Sequence, residues 1–277
     1  MTRKTNNNDI ENTSKDFHRL SIQISLNGLS FCVLDTVANR IVGSEHLIFH
    51  KELTPYQTLK ELQQLFKRHQ IDDTKFSEVV VIHRNNLFSL VPKSLFDEKE
   101  LANYLKFNAK ILANDHIAYD ELEGYDLMNV YVPFVNINNY IYDLFGEFIY
   151  KHHGTVMVQS LLDEHVNGKE PVVYVHVFDR QLDITVITQK KLLLFNNFEY
   201  STQEDFLYYL LFTLEQLGLN PESVPLKMFG DVGEDDPIYR LCYEYVKDIS
   251  ILLPAALSLP KYSEEIETID FTVLNAL

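Results

Sequence analysis

Three short stretches hold the residue types that could do chemistry on a bound ligand. They are Ile24-Ser25-Leu26-Asn27-Gly28, His176-Val177-Phe178-Asp179, and Phe229-Gly230-Asp231 with Gly233, Glu234, Asp235 and Asp236 just after. Glycine turns let a backbone approach an anion closely, and carboxylates can hold a metal ion and orient water. Read locally, each has a plainer role. Asn27–Gly28 between apolar runs is a two-residue hairpin signal. Asp179, beside Arg180 and Gln181, reads as a solvated residue at a hairpin tip. The ten histidines show no ligand spacing apart from the neighbours His152–His153. Adjacent residues on a helix point to different faces, so that pair is a poor chelate, and it reads as helix-end residues contacting terminal carbonyls. No GxSxG, HExxH, P-loop or GxGxxG is present.

The elements that position these turns occur twice. Leu20–Leu34 (LSIQISLNGLSFCVL) reads strand, turn, strand, and Val172–Leu194 (VVYVHVFDRQLDITVITQKKLLL) repeats that layout with a third strand attached. A helical segment follows each, TLKELQQLFKRHQI and EDFLYYLLFTLEQLGL, and then a short apolar strand, Val79–Ile82 and Leu226–Phe229. Two hairpin–helix–strand units predict two related subdomains with a cleft between them. Thr54–Pro55 marks one helix start, and Ser201 or Thr202 caps the other. Between the units the pattern predicts a helix from Leu95 to Lys110, a hairpin turn at Glu123–Gly124, a helix over Asn139–His152 ended by Gly154, and a strand over Thr155–Leu161. The polar bridge Asp163–Glu170 is the predicted boundary.

Composition bounds the function. The chain has 277 residues, 46% of them hydrophobic, with 16 Tyr and 18 Phe to fill a core and no Trp. The formal charge of -16 argues against nucleic-acid binding and against an anionic membrane surface. Cys32 and Cys242 lack metal or redox spacing, so a reducing cytoplasm with both thiols buried is expected. Residues 1–16 are polar and predict a disordered tail. The longest uncharged stretch, Leu127–Tyr142, contains Pro133 and several Asn, so no membrane insertion is expected.

The repeated order resembles the actin-like ATPase fold, most of all its pilus-assembly and secretion members (PilM-like and GspL-like), and an uncharacterised Bacteroidota family with that fold. DITVITQKKLLLFNNFEY is similar to their second-subdomain strands, and KMFGDVGEDDPIYRLCYEYVKD to their strand–glycine loop–helix adenosine segment. The resemblance spans roughly 20 to 253 and implies an α/β protein of two RNase H-like subdomains of mixed sheet and helices, here 17–162 and 163–277. It also implies two phosphate turns built on Asp-x-Gly, with the Asp placing metal and water. In this chain Ile24 and His176 stand at the acid positions, and Leu26 and Phe178 at the first glycines. The adenosine loop keeps Gly230 but is acidic, and acid repels a triphosphate.

The expectation is therefore a non-catalytic actin-like protein, with no metal and no cofactor, that binds an unknown protein partner in the cytoplasm. The alternative is a switch that binds ATP in the cleft with little hydrolysis, through Asn27, Gly28, Asp179 and Gly230. The helix Pro237–Val246 carries two apolar stripes, one of Ile238, Leu241, Cys242 and Tyr245 and one of Tyr239, Tyr243 and Val246. Tyr239 and Tyr243 are the candidate partner-binding residues, because tyrosine offers a large rigid contact with a polar tip.

Overall fold

A computed structural model describes residues 17–107, 110–112, 114–165, 169–252 and 269–277; the expected tail lies outside the described residues. The chain divides into two compact units, Met1–Val156 with Ala256–Leu277, and Met157–Ala255.

The first unit opens with β1 (His18–Ile24), β2 (Gly28–Asp35) and β3 (Arg40–Ile48), an antiparallel meander. Helix α1 (Pro55–His69) then returns the chain so that β4 (Glu78–His83) lies parallel to β1 on its other side. Thr54 caps the helix and Pro55 opens it, as the sequence predicts, and Gln57 completes a capping box. The strand β8 (Ile149–His152) joins parallel to β4, giving the order β3-β2-β1-β4-β8. Alternation in β1 sorts its side chains between two faces. Leu20, Ile22 and Ile24 pack with Leu62, Leu65 and Phe66 of α1, while Gln23 bonds Asp270 on the opposite face.

An insertion separates β4 from β8. It holds β5 (Phe88–Pro92), a short helix α2 (Leu101–Leu105), β6 (Ala118–Leu122) and β7 (Leu127–Tyr131), in a small antiparallel sheet of order β5-β7-β6. Gly124, at φ 81, sits in the β6–β7 turn where the hairpin was expected. The helix expected over 95–110 is instead two 3-10 turns and the five residues of α2. The next helix, α3 (Val135–Phe145), stops at Gly146 (φ 76), well before Gly154. The residues expected to form a strand over 155–161 lie in helix α4 (His153–Glu164). That segment is buried on nearly every side, so it shows no apolar period to tell strand from helix.

The second unit repeats the strand plan. The strands β9 (Val172–Phe178), β10 (Gln181–Thr188) and β11 (Lys191–Glu199) form the meander, α5 (Gln203–Gln216) crosses over, and β12 (Leu226–Gly230) lies parallel to β9. Helix α6 (Pro237–Tyr245) leads to β13 (Ile249–Ile251), and the order is β11-β10-β9-β12-β13. Thr202 caps α5 in a box with Asp205. Val173, Val175 and Val177 meet Leu182, Ile184 and Val186 under Phe206, Leu210 and Leu214 of α5.

The boundary differs from the expected 163–170 bridge in two ways. It falls inside α4, between Val156 and Met157, and the chain's end belongs to the first unit. The last helix, α7 (Phe271–Asn275), puts Val273 and Leu274 against Cys32, Leu34 and Ile82 of the first sheet. Asp270 caps it by accepting from the Thr272 and Val273 amides. Burial pushes the Cys32 thiol up to about 12, so it is protonated and inert. Leu274→Ala is expected to cost about 2–5 kcal/mol, read as an earlier urea midpoint, and to speed labelling of Cys32 by a thiol reagent.

Candidate functional site

The first turn joins β1 to β2, and its Ser25, Asn27 and Gly28 amides are already used. The Ser25 hydroxyl oxygen accepts from the backbone N–H of Asn27 (3.1 Å) and of Gly28 (2.8 Å), and the Ser25 amide donates to Gly28 O (3.0 Å). The turn's carbonyls are held too: Leu26 O accepts from Leu53 N–H and Asn27 O from Phe49 N–H. A Cβ at Gly28 would lie 2.5 Å from Leu47 O, so this glycine is demanded by the neighbouring strand. The turn is thus a closed hydroxyl-centred loop rather than an open cradle of amides.

The second turn, between β9 and β10, has Asp179 in the left-handed region at φ 51. Its N–H donates to the Asp231 carboxylate (3.0 Å), and its carbonyl accepts from the Tyr200 hydroxyl (2.8 Å). Asp231 in turn donates its own N–H to Val177 O (2.8 Å). The acidic loop after β12 therefore places a carboxylate of the protein where this turn offers an amide. Phe178 is buried, and its ring lies near that of His176.

Beneath the turn, His176 Nδ1 and Asp183 Oδ2 lie 3.0 Å apart, both buried, and Asn197 donates to the other Asp183 oxygen. Gly230 packs on the His176 ring. A Cβ there would come within 2.2 Å of Val177 O and 2.9 Å of the His176 ring, at φ 90. Its lack of a side chain has a packing reason that involves no ligand.

A polar network that sequence reasoning missed lies at the ends of β4 and β8 in the first unit. His83 accepts from the Phe134 amide at Nδ1 and donates to Asn138 at Nε2 (2.9 Å). Desolvation by burial lowers its pKa to about 4, against a smaller raising effect from Asn138. His152 donates to Asn85 O (3.0 Å), while its Nδ1 accepts from Gly154 N–H and Asn129. Asp120 accepts from Tyr131 (3.0 Å), Thr155 (2.6 Å) and the His152 amide (2.8 Å), and burial raises its pKa. Contrary to expectation, His152 and His153 do not close a helix at its C-terminal end. They form the strand-to-helix junction, fully buried, with ring centroids 4.4 Å apart. Among the described residues no three His, Cys, Asp or Glu side chains gather as a metal site.

The family described as protein of unknown function DUF3822 matches residues 5–249. The chain belongs to it. The expected fold is shown as well. This DUF3822 chain is similar to a solved protein of Bacteroides thetaiotaomicron with an actin-like ATPase fold and unknown function, at TM-score 0.78 and 19% identity, over 87% of this chain and 93% of that one. It is similar to the PilM-PilN type IV pilus biogenesis complex at TM-score 0.62 and 11% identity, over 92% and 96%. The cytoplasmic domain of EpsL, an inner membrane component of the type II secretion system of Vibrio cholerae, aligns at TM-score 0.46 and 12% identity, over 94% and 93%. No curated protein matches the chain. Among the described residues no helix is long and apolar enough to cross a membrane.

The two candidate tyrosines of α6 part company. Tyr239 is 9% exposed and belongs to the core with Cys242 and Val246, whereas Tyr243 is 63% exposed and stacks on Tyr239 from outside. The stripe expected to be a free face is therefore a core anchor with one exposed ring.

Two outcomes follow from these environments. Gly230→Ala is expected to lose about 1–3 kcal/mol from backbone strain alone and more from the contact with Val177 O, seen as a lower melting temperature with no ligand present. His83 has a folded pKa below its unfolded value, so its neutral form is favoured in the fold. Stability is full above about pH 6.5 and falls by about 3 kcal/mol as pH drops toward 4. Asp120, with a raised pKa, acts in the opposite sense. Urea titrations over this range isolate His83: His83→Gln is expected to show a shallower pH dependence than the parent protein.

Proposed function

We propose that this chain is an actin-like protein that does not hydrolyse nucleotide and that acts by holding another protein. One observation carries the reading: the Asn27 and Gly28 amides of the first turn are engaged by the Ser25 hydroxyl, and the Asp179 amide of the second by the Asp231 carboxylate. A phosphate would have to displace a bonded hydroxyl at the first turn and a carboxylate at the second, and each loss leaves a polar group to be satisfied again. Ile24 and His176 supply no carboxylate at the acid positions of the resemblance. Gly230, the glycine kept in the adenosine segment, is accounted for by its contacts with Val177 and His176.

What remains of an actin-like fold without hydrolysis is shape and surface. The PilM structure of similar fold is a complex with PilN, which supports partner binding as the retained role. Two free, buried cysteines support a reducing, cytoplasmic setting.

Calorimetric titration with Mg-ATP is expected to give no binding heat, and phosphate release is expected to stay at the buffer rate. Saturable ATP binding would favour the nucleotide switch. Turnover that disappears in Asp179→Ala would restore an enzyme whose acid had moved. A partner recovered from cells and then purified is expected to bind equally with and without ATP.

A further inference from the structure

One face of the first sheet packs under α7, where Cys32, Leu34 and Ile82 meet Val273 and Leu274. A polar strip interrupts that apolar face, and the strand register places it. Gln23 of β1 lies opposite Ser30 of β2, and Ser30 lies opposite His46 of β3, so the three share a face. Ser44 of β3, opposite Cys32, stands on the same face one row along.

Ser30 is 2% exposed, and its hydroxyl has no hydrogen-bond partner among the described residues. A buried hydroxyl without a partner costs stability, so a serine here is not explained by packing. Ser30 lines a cavity of about 290 Å³, and Ser44, Glu45, His46, Ile269 and Asp270 line it too. About 10–15 Å³ admits one water, so the space holds far more than the single partner that the hydroxyl lacks.

The lining sets the charge of an occupant. It has two carboxylates, and among the described residues no lysine or arginine lines it. Glu45 is already met by Arg68 and His69 of α1. Asp270 is 7% exposed and accepts from the Gln23 side-chain amide (3.2 Å) and from the Thr272 (2.9 Å) and Val273 (3.2 Å) N–H groups. A buried carboxylate in the wall, on a chain of formal charge -16, opposes an anion and favours a cation.

We propose that this cavity is a binding site for a small organic ammonium compound. Its ammonium group donates to the Ser30 hydroxyl oxygen within the field of Asp270. The site involves neither turn and no protein partner, so its failure leaves the proposed function untouched, and the failure of that function leaves the site.

The test uses the full chain and three four-carbon probes that differ only in their ends: 1,4-butanediamine, 1,4-butanediol and succinate. Calorimetric titration at physiological salt is expected to give saturable binding of the diamine, weaker binding of the diol and none of succinate. Ser30→Ala removes an unpartnered hydroxyl, so the melting temperature without ligand is expected to hold or rise. The same change is expected to weaken the diamine about tenfold, the worth of one hydrogen bond to a charged group. Asp270→Asn keeps a residue type that caps helices and is expected to weaken the diamine by at least as much while sparing the diol. If Asp270→Asn fails to fold by circular dichroism, Ser30→Ala decides the matter. A diamine that does not bind leaves the cavity to water and overturns the proposal. So does succinate binding as tightly as the diamine. Diamine binding unchanged in Ser30→Ala overturns it too, because diffuse attraction to an acidic chain would behave that way.

Discussion

A tight turn leaves backbone amides that must find an acceptor, and the choice of acceptor decides what the turn can do. In an anion-binding turn the acceptor is the ligand. Here Ser25 accepts from Asn27 and Gly28, and Asp231 accepts from Asp179. Around those choices the rest falls into place. Leu26 and Asn27 give their carbonyls to the chain entering α1, and Tyr200 reaches the Asp179 carbonyl from the end of β11. Each turn is thereby tied to the helix connection that follows it, so the strand plan and the closed turns hold one another in place.

The architecture was legible where local chemistry and apolar period agree. Thr54-Pro55 and Thr202 cap their helices as their residue types require, and the alternating runs of β9 and β10 could only be strands. Legibility failed where burial is complete. Thr155 to Leu161 contains Val156 and Val158 and reads as a strand, yet it lies in a helix with almost no exposed face. It failed again where the chain returns: nothing local in Phe271–Asn275 says that it will cover Cys32 and Leu34, more than two hundred residues earlier. Tyr239 and Tyr243 show the same limit on a single helix. They are four residues apart and so share a side, but only the packing of α6 beside α5 decides that one is core and the other exposed.

The candidate site was half legible. The lost acids and glycines at Ile24, Leu26, His176 and Phe178 can be read from the sequence beside the resemblance, but the acceptors that replaced the ligand cannot. Asp231 lies 52 positions from Asp179, and in the sequence it is one of several acids in a loop. The network of His83, Asp120, Asn129, Tyr131, His152 and Thr155 is less legible still, because it draws on four strands and a helix start. A histidine at a strand end reads as ordinary until burial takes away its charge. His83 is neutral because desolvation outweighs its one raising contact.

Two sheets with one strand order need not have one role, and their edges are where they differ. Twist, register and crossover are constrained by packing on both faces, so β1, β4, β9 and β12 have little freedom. An edge strand has one free side, and there sequence can vary without unfolding the sheet. In β3 that freedom is spent on Glu45, held by two basic groups of α1, which blunts the edge. In β11 the same position in the plan is left uncharged for seven residues, from Leu192 to Phe198, two of them Asn. Such a run is an aggregation hazard unless it has a defined mate. Lys191 and Glu199 bound the run and the bulge at Leu193 bends the strand, so this edge is blunted by charge at its ends and by shape rather than by a charge in its middle. The two sheets thus share a strand order while their edges meet the same constraint by different residues.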